Sequence, residues 1–257
     1  MPLTETLVIT AFFLATAALY ASVGHGGASG YLAVMGLFGF APAVMKPTAL
    51  ALNIVVSAVA TARFYRAGLF TWSLFWPFAI ISIPAAFLGG GLVVPARAYK
   101  VLVGLVLLYA AVWMFRSTLA AAAGLRIPPA AGTDKPPRPP ALWLALPAGL
   151  LIGFLSGMTG VGGGIFLSPL LLYAGWAETR ATSGVAAPFI LVNSIAGLLG
   201  HIAGITELPP QIPFWAGAVL VGGWVGASYG SSRAPTTMLR RLLSLVLLIA
   251  GVKLILF

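Results

Sequence analysis

The chain has 257 residues, of which 60% are apolar and only 7% are charged, and its mean hydropathy is +1.05. A soluble domain of this length could not cover its surface with so few charged side chains, so the composition excludes a soluble protein and predicts one that crosses a membrane several times. The net charge of +10 comes from basic residues at segment ends and in one linker, which indicates contact with anionic lipid headgroups and not with nucleic acid.

The chain contains no cysteine. This absence excludes disulfides, thiolate metal sites and a mechanism that passes sulfur through a protein persulfide. The sequence also lacks a P-loop, which excludes a pump that hydrolyses ATP by itself. We therefore expect neither a cofactor nor a bound metal ion.

Apolar runs predict ten helical segments in two groups of five. The second segment of each group is too short to span a bilayer, which takes roughly 20 residues, and is predicted to be a half-helix or re-entrant element. The predicted fold is therefore an all-α polytopic membrane protein with roughly eight spanning helices and two short segments. The predicted segments are 3–23, 28–40, 47–65, 72–93 and 98–117, then 141–157, 164–175, 181–200, 213–230 and 237–257.

The two groups share glycine and proline positions. Gly24-His25-Gly26-Gly27 is matched 136 residues later by Gly160-Val161-Gly162-Gly163. This spacing predicts two pseudo-repeats, residues 1–117 and 141–257, as in many transporters. They are inverted, with both termini outside, if all five segments cross, and parallel if the short segments re-enter; we favour the inverted arrangement. The same offset pairs Gly68 with Gly204, Pro77 with Pro213, Phe78 with Phe214 and Gly90 with Gly226.

A proline-rich linker, residues 118–140, is predicted between the repeats. Its proline density opposes helix formation and favours an extended, solvated chain. It carries Arg126, Lys135 and Arg138, so the positive-inside rule predicts that it is cytoplasmic. The expected location of the protein is a bacterial-type inner membrane.

The two glycine turns are the strongest candidates for a binding site. Glycine tolerates positive φ and leaves backbone amides bare, and a helix that begins after such a turn directs its positive dipole end at an anion. The alternative is close helix packing, which Gly222, Gly226 and Gly230 suggest by their spacing of four. The candidate turn residues are Gly24, His25, Gly26, Gly27, Gly160, Gly162, Gly163 and Gly164.

The third segment of each group begins with a cation and a hydroxyl, Lys46 with Thr48 and Arg180 with Thr182 and Ser183. The hydroxyls are either helix N-caps or, together with the cations, part of an oxyanion site in which the cations attract or gate the anion. Further along these segments lie the polar residues Asn53, Ser57, Asn193 and Ser194. They are expected to face the bundle interior, either as hydrogen bonds between helices or as cavity lining.

His25 and His201 are the candidate proton carriers, with a structural hydrogen-bonded role as the alternative. Membrane segments offer no other obvious group, because the four carboxylates lie at segment ends or in loops. These carboxylates are Glu5, Asp134, Glu178 and Glu207.

Two alternatives belong to other functional classes. Residues 27–30 spell Gly-Ala-Ser-Gly, the G-x-S-G pattern of an intramembrane serine protease, in which Ser29 would be the nucleophile and His201 the base. The repeat explains the surrounding glycines without catalysis, and Ser29 corresponds to Ile165, so we do not expect an enzyme. The other alternative is a membrane assembly subunit that transports nothing.

The second repeat resembles the sulfite exporter TauE/SafE family, also called the toluene-sulfonate uptake permease group. The resemblance rests on residues 157–169, GMTGVGGGIFLSP, and residues 178–183, ETRATS. The first repeat matches less closely through residues 22–27, SVGHGG, and 46–50, KPTAL, where Pro47 replaces a small residue.

The resemblance implies a secondary carrier for sulfite, thiosulfate or an organosulfonate. We expect alternating access around a site near the membrane midplane, with a small sulfur oxyanion and membrane lipids as partners. The sequence leaves open which anion is carried, in which direction, with which coupling ion, and whether the protein is a homodimer.

Overall fold

The computed structural model describes residues 1–122, 140–205, 208–232 and 237–256, and these residues form helices and turns without a strand. The predicted all-α fold is confirmed. The helices are α1 (Leu3–Ala21), α2 (Ala28–Leu37), α3 (Pro42–Arg66), α4 (Trp72–Gly91), α5 (Ala96–Ala122), α6 (Leu142–Thr159), α7 (Gly164–Tyr173), α8 (Thr179–His201), α9 (Ile212–Ser232) and α10 (Thr237–Leu256), with a short 3-10 turn at Ile202–Gly204.

Among the described residues, seven helices are long and apolar enough to cross a membrane, namely α1, α3, α4, α5, α6, α8 and α9. Within the described part of the chain, Ser244–Leu256 of α10 is a shorter apolar helical stretch. The helices α2 and α7 have 10 residues each, a length of about 15 Å, or half of the hydrocarbon core. The predicted half-helices are confirmed.

Helix α5 continues to Ala122, which lies inside the range 118–140 predicted for the linker. The first residues of the predicted range 118–140 extend the helix, because alanine at positions 120–122 favours it. Most of the predicted linker, 123–139, lies outside the described residues.

Corresponding helices of the two groups run antiparallel. Gly184 at the start of α8 contacts the backbone of Leu69, just beyond the end of α3, and Gly104 near the start of α5 contacts Gly251 and Ile255 near the end of α10. Antiparallel α3–α8 and α5–α10 pairs are what an inverted arrangement requires.

Glycines at intervals of four let pairs of helices approach closely, as in membrane GxxxG packing. A Cβ on any of these glycines would fall on a backbone carbonyl of the partner helix, which confirms their predicted packing role on α9. The contacts on α9 pair Gly222 with Leu14, Gly226 with Ala18 and Gly230 with Ser22, and those on α6 pair Gly149 with Phe78, Gly153 with Ser82 and Gly157 with Ala86.

The helix directions define two faces of the bundle. The linker face contains the end of α5, the start of α6, the end of α1 and the start of α8, since Ser183 near the start of α8 donates a hydrogen bond to Val23 O (2.9 Å). The opposite face, called here the terminal face, contains the starts of α1 and α3 and the ends of α4, α8 and α10.

Candidate functional site

Each half-helix begins directly after a glycine turn. Gly27 and Gly163 are the N-cap residues of α2 and α7, with φ of 98° and 82°, and no side chain caps either helix. Gly24, Gly160 and Gly162 also have φ between 73° and 85°, a region that side chains other than glycine occupy only at a cost. The first backbone N–H groups of both half-helices, which have no partner within their own helix, are thus not bonded by a capping side chain.

The two turns meet at Asn53, in the middle of α3. A Cβ on Gly26 would fall on Asn53 Oδ1, and a Cβ on Gly162 would fall on Asn53 Nδ2. Both glycines also pack against Ile190 of α8. The N-terminal ends of two half-helices therefore converge from opposite faces on the centre of the bundle, and their dipoles favour negative charge there.

A cavity of about 100 Å³ opens beside this centre, between the end of α1, the second half of α5, α7 and the start of α8. The space suits several water molecules or one small anion, since one water molecule needs only about 10–15 Å³ of such a volume. Its polar lining consists of Tyr20, His25, Ser117, Ser168, Thr179, Thr182 and Ser183, and its apolar lining of Val23, Trp113, Met114, Ile165 and Leu172.

Two hydroxyls in the cavity lack a partner. Ser168 and Thr182 are each 3% exposed, and neither hydroxyl makes a hydrogen bond. A buried polar group without a partner costs free energy unless something else satisfies it. Each of these hydroxyls therefore keeps a hydrogen-bonding capacity that no described group of the protein uses. Among the described residues, no carboxylate lines the cavity.

His25 and Ser183 define the wall of the cavity beside the first turn. His25 is half-buried, and its Nδ1 lies 3.0 Å from Val23 O. The Ser183 hydroxyl lies within hydrogen-bond distance of Val23 O and of Thr179 O (3.0 Å). The structure therefore brings His25, Thr182 and Ser183 together in one cavity wall.

The asparagines occupy the centre next to the cavity. Asn53 Nδ2 donates to Ser194 Oγ at 2.8 Å and joins α3 to α8, while Asn193 Nδ2 donates to Phe189 O at 2.8 Å within α8. Both asparagine carbonyl oxygens are buried without a donor. Of the two interpretations, a hydrogen bond between helices or cavity lining, the first is thus present for Asn53. Ser57 donates to Asn53 O in its own helix and does not line the cavity.

The N-cap interpretation of Thr48 and Thr182 is wrong. The N-caps of α3 and α8 are Ala41 and Glu178, so both threonines lie inside their helices. Helix α3 starts early because Pro42 suits the first helical position. Thr48 is buried without a partner, but it lies outside the cavity.

Lys46 and Arg180 do not line the cavity either. Lys46 Nζ donates to Gly90 O at 2.7 Å, and Arg180 Nη2 donates to Ser231 O at 2.6 Å. Both cations therefore bind carbonyls near the C-terminal ends of neighbouring helices, where the helix dipole is negative.

The serine–histidine pair of a protease is not assembled. The Ser29 hydroxyl donates to Tyr20 Oη at 2.7 Å. His201 Nδ1 lies 3.2 Å from Gly90 O at the terminal face, and its Nε2 has no partner. His201 therefore does not serve as a base for Ser29, and it lies outside the cavity.

Sequence reasoning missed the contribution of α5, which supplies Trp113, Met114 and Ser117. These residues belong to an uninterrupted apolar helix, so nothing in the local pattern sets them apart. Ser168 was also missed as a site residue, although its position beside Pro169 in a short segment after a glycine turn was a usable signal.

Comparison with known proteins gives one consistent result. The model of the sulfite exporter TauE/SafE family matches residues 8–254. A protein of Sinorhizobium fredii described as a probable membrane transporter is 42% identical over 252 residues, which cover 98% of this chain and 99% of the relative. Another probable membrane transporter, from Methanocaldococcus jannaschii, is 39% identical over 59 residues, 23% of this chain and 22% of the relative. No solved structure matches the chain.

Proposed function

The chain belongs to the sulfite exporter TauE/SafE family, and on this premise we propose that it carries a small sulfur-containing anion, an organosulfonate or sulfite, by alternating access. The single observation that supports the anion site best is the cavity with the buried, unpartnered hydroxyls of Ser168 and Thr182. The cavity lies along α7, from Ile165 near its N-terminal end to Leu172, and the dipole at that N-terminal end favours an anion.

The chemistry of the cavity suits a weakly basic oxyanion. A sulfonate offers three oxygen acceptors, and hydroxyls, backbone N–H groups and helix ends can hold them without a buried salt bridge. A site without a permanent counter-ion also releases its anion more readily, which a carrier needs. A carboxylate in the lining would repel the anion, and the part of the chain that the structure describes places none there.

The two faces of the bundle differ, which supports alternating access. The cavity lies toward the linker face, between Ser117 and Thr179. Toward the terminal face the path is packed, since Gly160 lies against Lys46 and Tyr99 Oη donates to Thr159 O at 2.9 Å. We propose that the structure represents a state open to the linker face, and that the linker face is cytoplasmic.

Proton coupling, if the carrier uses it, is assigned to His25. This side chain lines the cavity and is half-buried, whereas His201 lies outside it. A histidine beside the bound anion can take up a proton as the anion enters and lose it as the anion leaves. Replacement of His25 with glutamine should then abolish the dependence of uptake on a proton gradient.

The proposal is tested by uptake of radiolabelled sulfite and alkyl and aryl sulfonates into proteoliposomes. Thr182→Val and Ser168→Ala should each weaken anion affinity by about tenfold or more, because a hydrogen bond to a charged group contributes about 1.5–3 kcal/mol. Thr10→Val is the matched control, since its hydroxyl bonds Thr6 O in α1, away from the cavity. Absence of saturable uptake for every sulfur oxyanion would refute the proposed function.

A further inference from the structure

Lys46 and Arg180 make the same kind of contact at opposite faces of the bundle. They stand 134 residues apart, each near the start of the third helix of its group. Each donates to a carbonyl near the C-terminal end of the helix that follows, Gly90 O of α4 and Ser231 O of α9. The contact therefore recurs in the two halves.

The two cations differ in burial, and the difference matches the position of the cavity. Lys46, at the packed terminal face, is 4% exposed. Its ammonium also lies 3.5 Å from Leu92 O, and Gly90 O accepts a second hydrogen bond from His201 Nδ1. Arg180, at the linker face, is exposed and adjoins Thr179, which lines the cavity. The buried cation lies at the closed face and the exposed cation at the open one.

Neither cation is paired with a carboxylate among the described residues, where Glu5 and Glu178 are the two acidic side chains. Burial of an ammonium without a counter-ion is costly, and the negative end of a helix dipole offsets only part of that cost. The burial of Lys46 therefore opposes closure of the terminal face, while its hydrogen bonds to α4 favour it.

We propose that Lys46 and Arg180 are the two latches of the transport cycle. Each becomes buried on its helix-end carbonyl when its own face closes, and each becomes exposed when that face opens. In the present structure both hydrogen bonds are made, but Lys46 is buried, as expected of a closed face, and Arg180 is exposed, as expected of an open one. This inference rests on the proposed alternating access, but it concerns the balance between the two states and not the identity of the anion.

The test uses the absence of native cysteine. Thr48→Cys and Thr182→Cys report on the terminal and linker faces through their rates of labelling by a polar thiol reagent. Lys46→Gln keeps a donor for Gly90 O but removes the buried charge, so labelling at 48 should slow by about threefold or more relative to labelling at 182. Arg180→Gln should shift the same ratio by about threefold or more in the opposite direction.

Lys253→Gln is the matched control, because Lys253 Nζ donates to Leu37 O, the last carbonyl of α2, at 2.6 Å. The residue that aligns with it at offset 140 is Trp113, so this lysine has no counterpart and its variant should leave the labelling ratio unchanged. Equal shifts in both charge variants, or an unchanged ratio in monodisperse protein, would overturn the latch. Labelling requires no substrate, so a missing sulfonate flux refutes the proposed function separately.

Discussion

Gly162→Ala should destabilise the protein more than Gly68→Ala, although both glycines have a positive φ. Gly162 has φ of +83°, and an added Cβ would meet Asn53 Nδ2, Ile190 and Ser194. Gly68 has φ of +70°, and nothing lies within 4 Å of its added Cβ. Both substitutions carry the cost of a left-handed conformation, about 1–2 kcal/mol, but only the first also forces a neighbour to move.

The extra cost at Gly162 has two parts. Overpacking costs about 1–3 kcal/mol, and displacement of Asn53 breaks its bond to Ser194, worth about 0.5–1.5 kcal/mol. We therefore expect Gly162→Ala to lower the free energy of unfolding by about 2 kcal/mol or more beyond the effect of Gly68→Ala.

The assay is a titration of each purified variant from a mild into a denaturing detergent, followed by sulfonate uptake in proteoliposomes. Gly68→Ala should retain uptake, whereas Gly162→Ala should lose most of it even when reconstituted in folded form, because Asn53 and the start of α7 no longer keep their positions. Equal destabilisation of the two variants, or normal anion affinity in Gly162→Ala, would refute this reasoning.

Three further outcomes are expected. Asn53→Ala should lower the free energy of unfolding by about 0.6 kcal/mol, the average for hydrogen bonds between membrane helices, and by no more than about 1.7 kcal/mol. Uptake should fall with it, and unchanged stability would contradict the α3–α8 bond. Gly226→Leu should prevent α9 from packing against α1, because its Cβ would fall on Ala18 O, and the variant should aggregate on size-exclusion chromatography. Gly217→Leu, with open space around its Cβ, should remain monodisperse. Ser29→Ala should retain anion uptake, and loss of a proteolytic activity in that variant would instead restore the protease interpretation.

The sequence was sufficient for the helices because each depends on local properties. Long apolar runs give spanning helices, and the distance between the glycine turn and the next break limits α2 and α7 to half a membrane. The predicted helix boundaries agree less well with the structure. Helix α3 begins at Pro42 and not at the predicted residue 47, since a proline is well suited to the first turn of a helix.

Several predicted site residues stand out in the sequence because they are glycine-rich or polar in an apolar segment. Of these, His25, Thr182 and Ser183 line the cavity, and the turn glycines Gly26 and Gly162 meet at Asn53. Lys46 and Arg180 look equally conspicuous, yet their long side chains reach helix-end carbonyls away from the cavity. The position of a charged group in sequence does not reveal where a flexible side chain finds its partner.

The amino-acid sequence by itself determined the membrane environment, the helix order and the two glycine turns, since hydropathy and backbone freedom are properties of single residues and short runs. Only the tertiary structure decided that both turns meet at Asn53, that α5 supplies part of the cavity, and that the cavity lies toward one face. These features depend on contacts between residues that are distant in the sequence, such as the hydrogen bond from Asn53 to Ser194, and such contacts are set by helix packing.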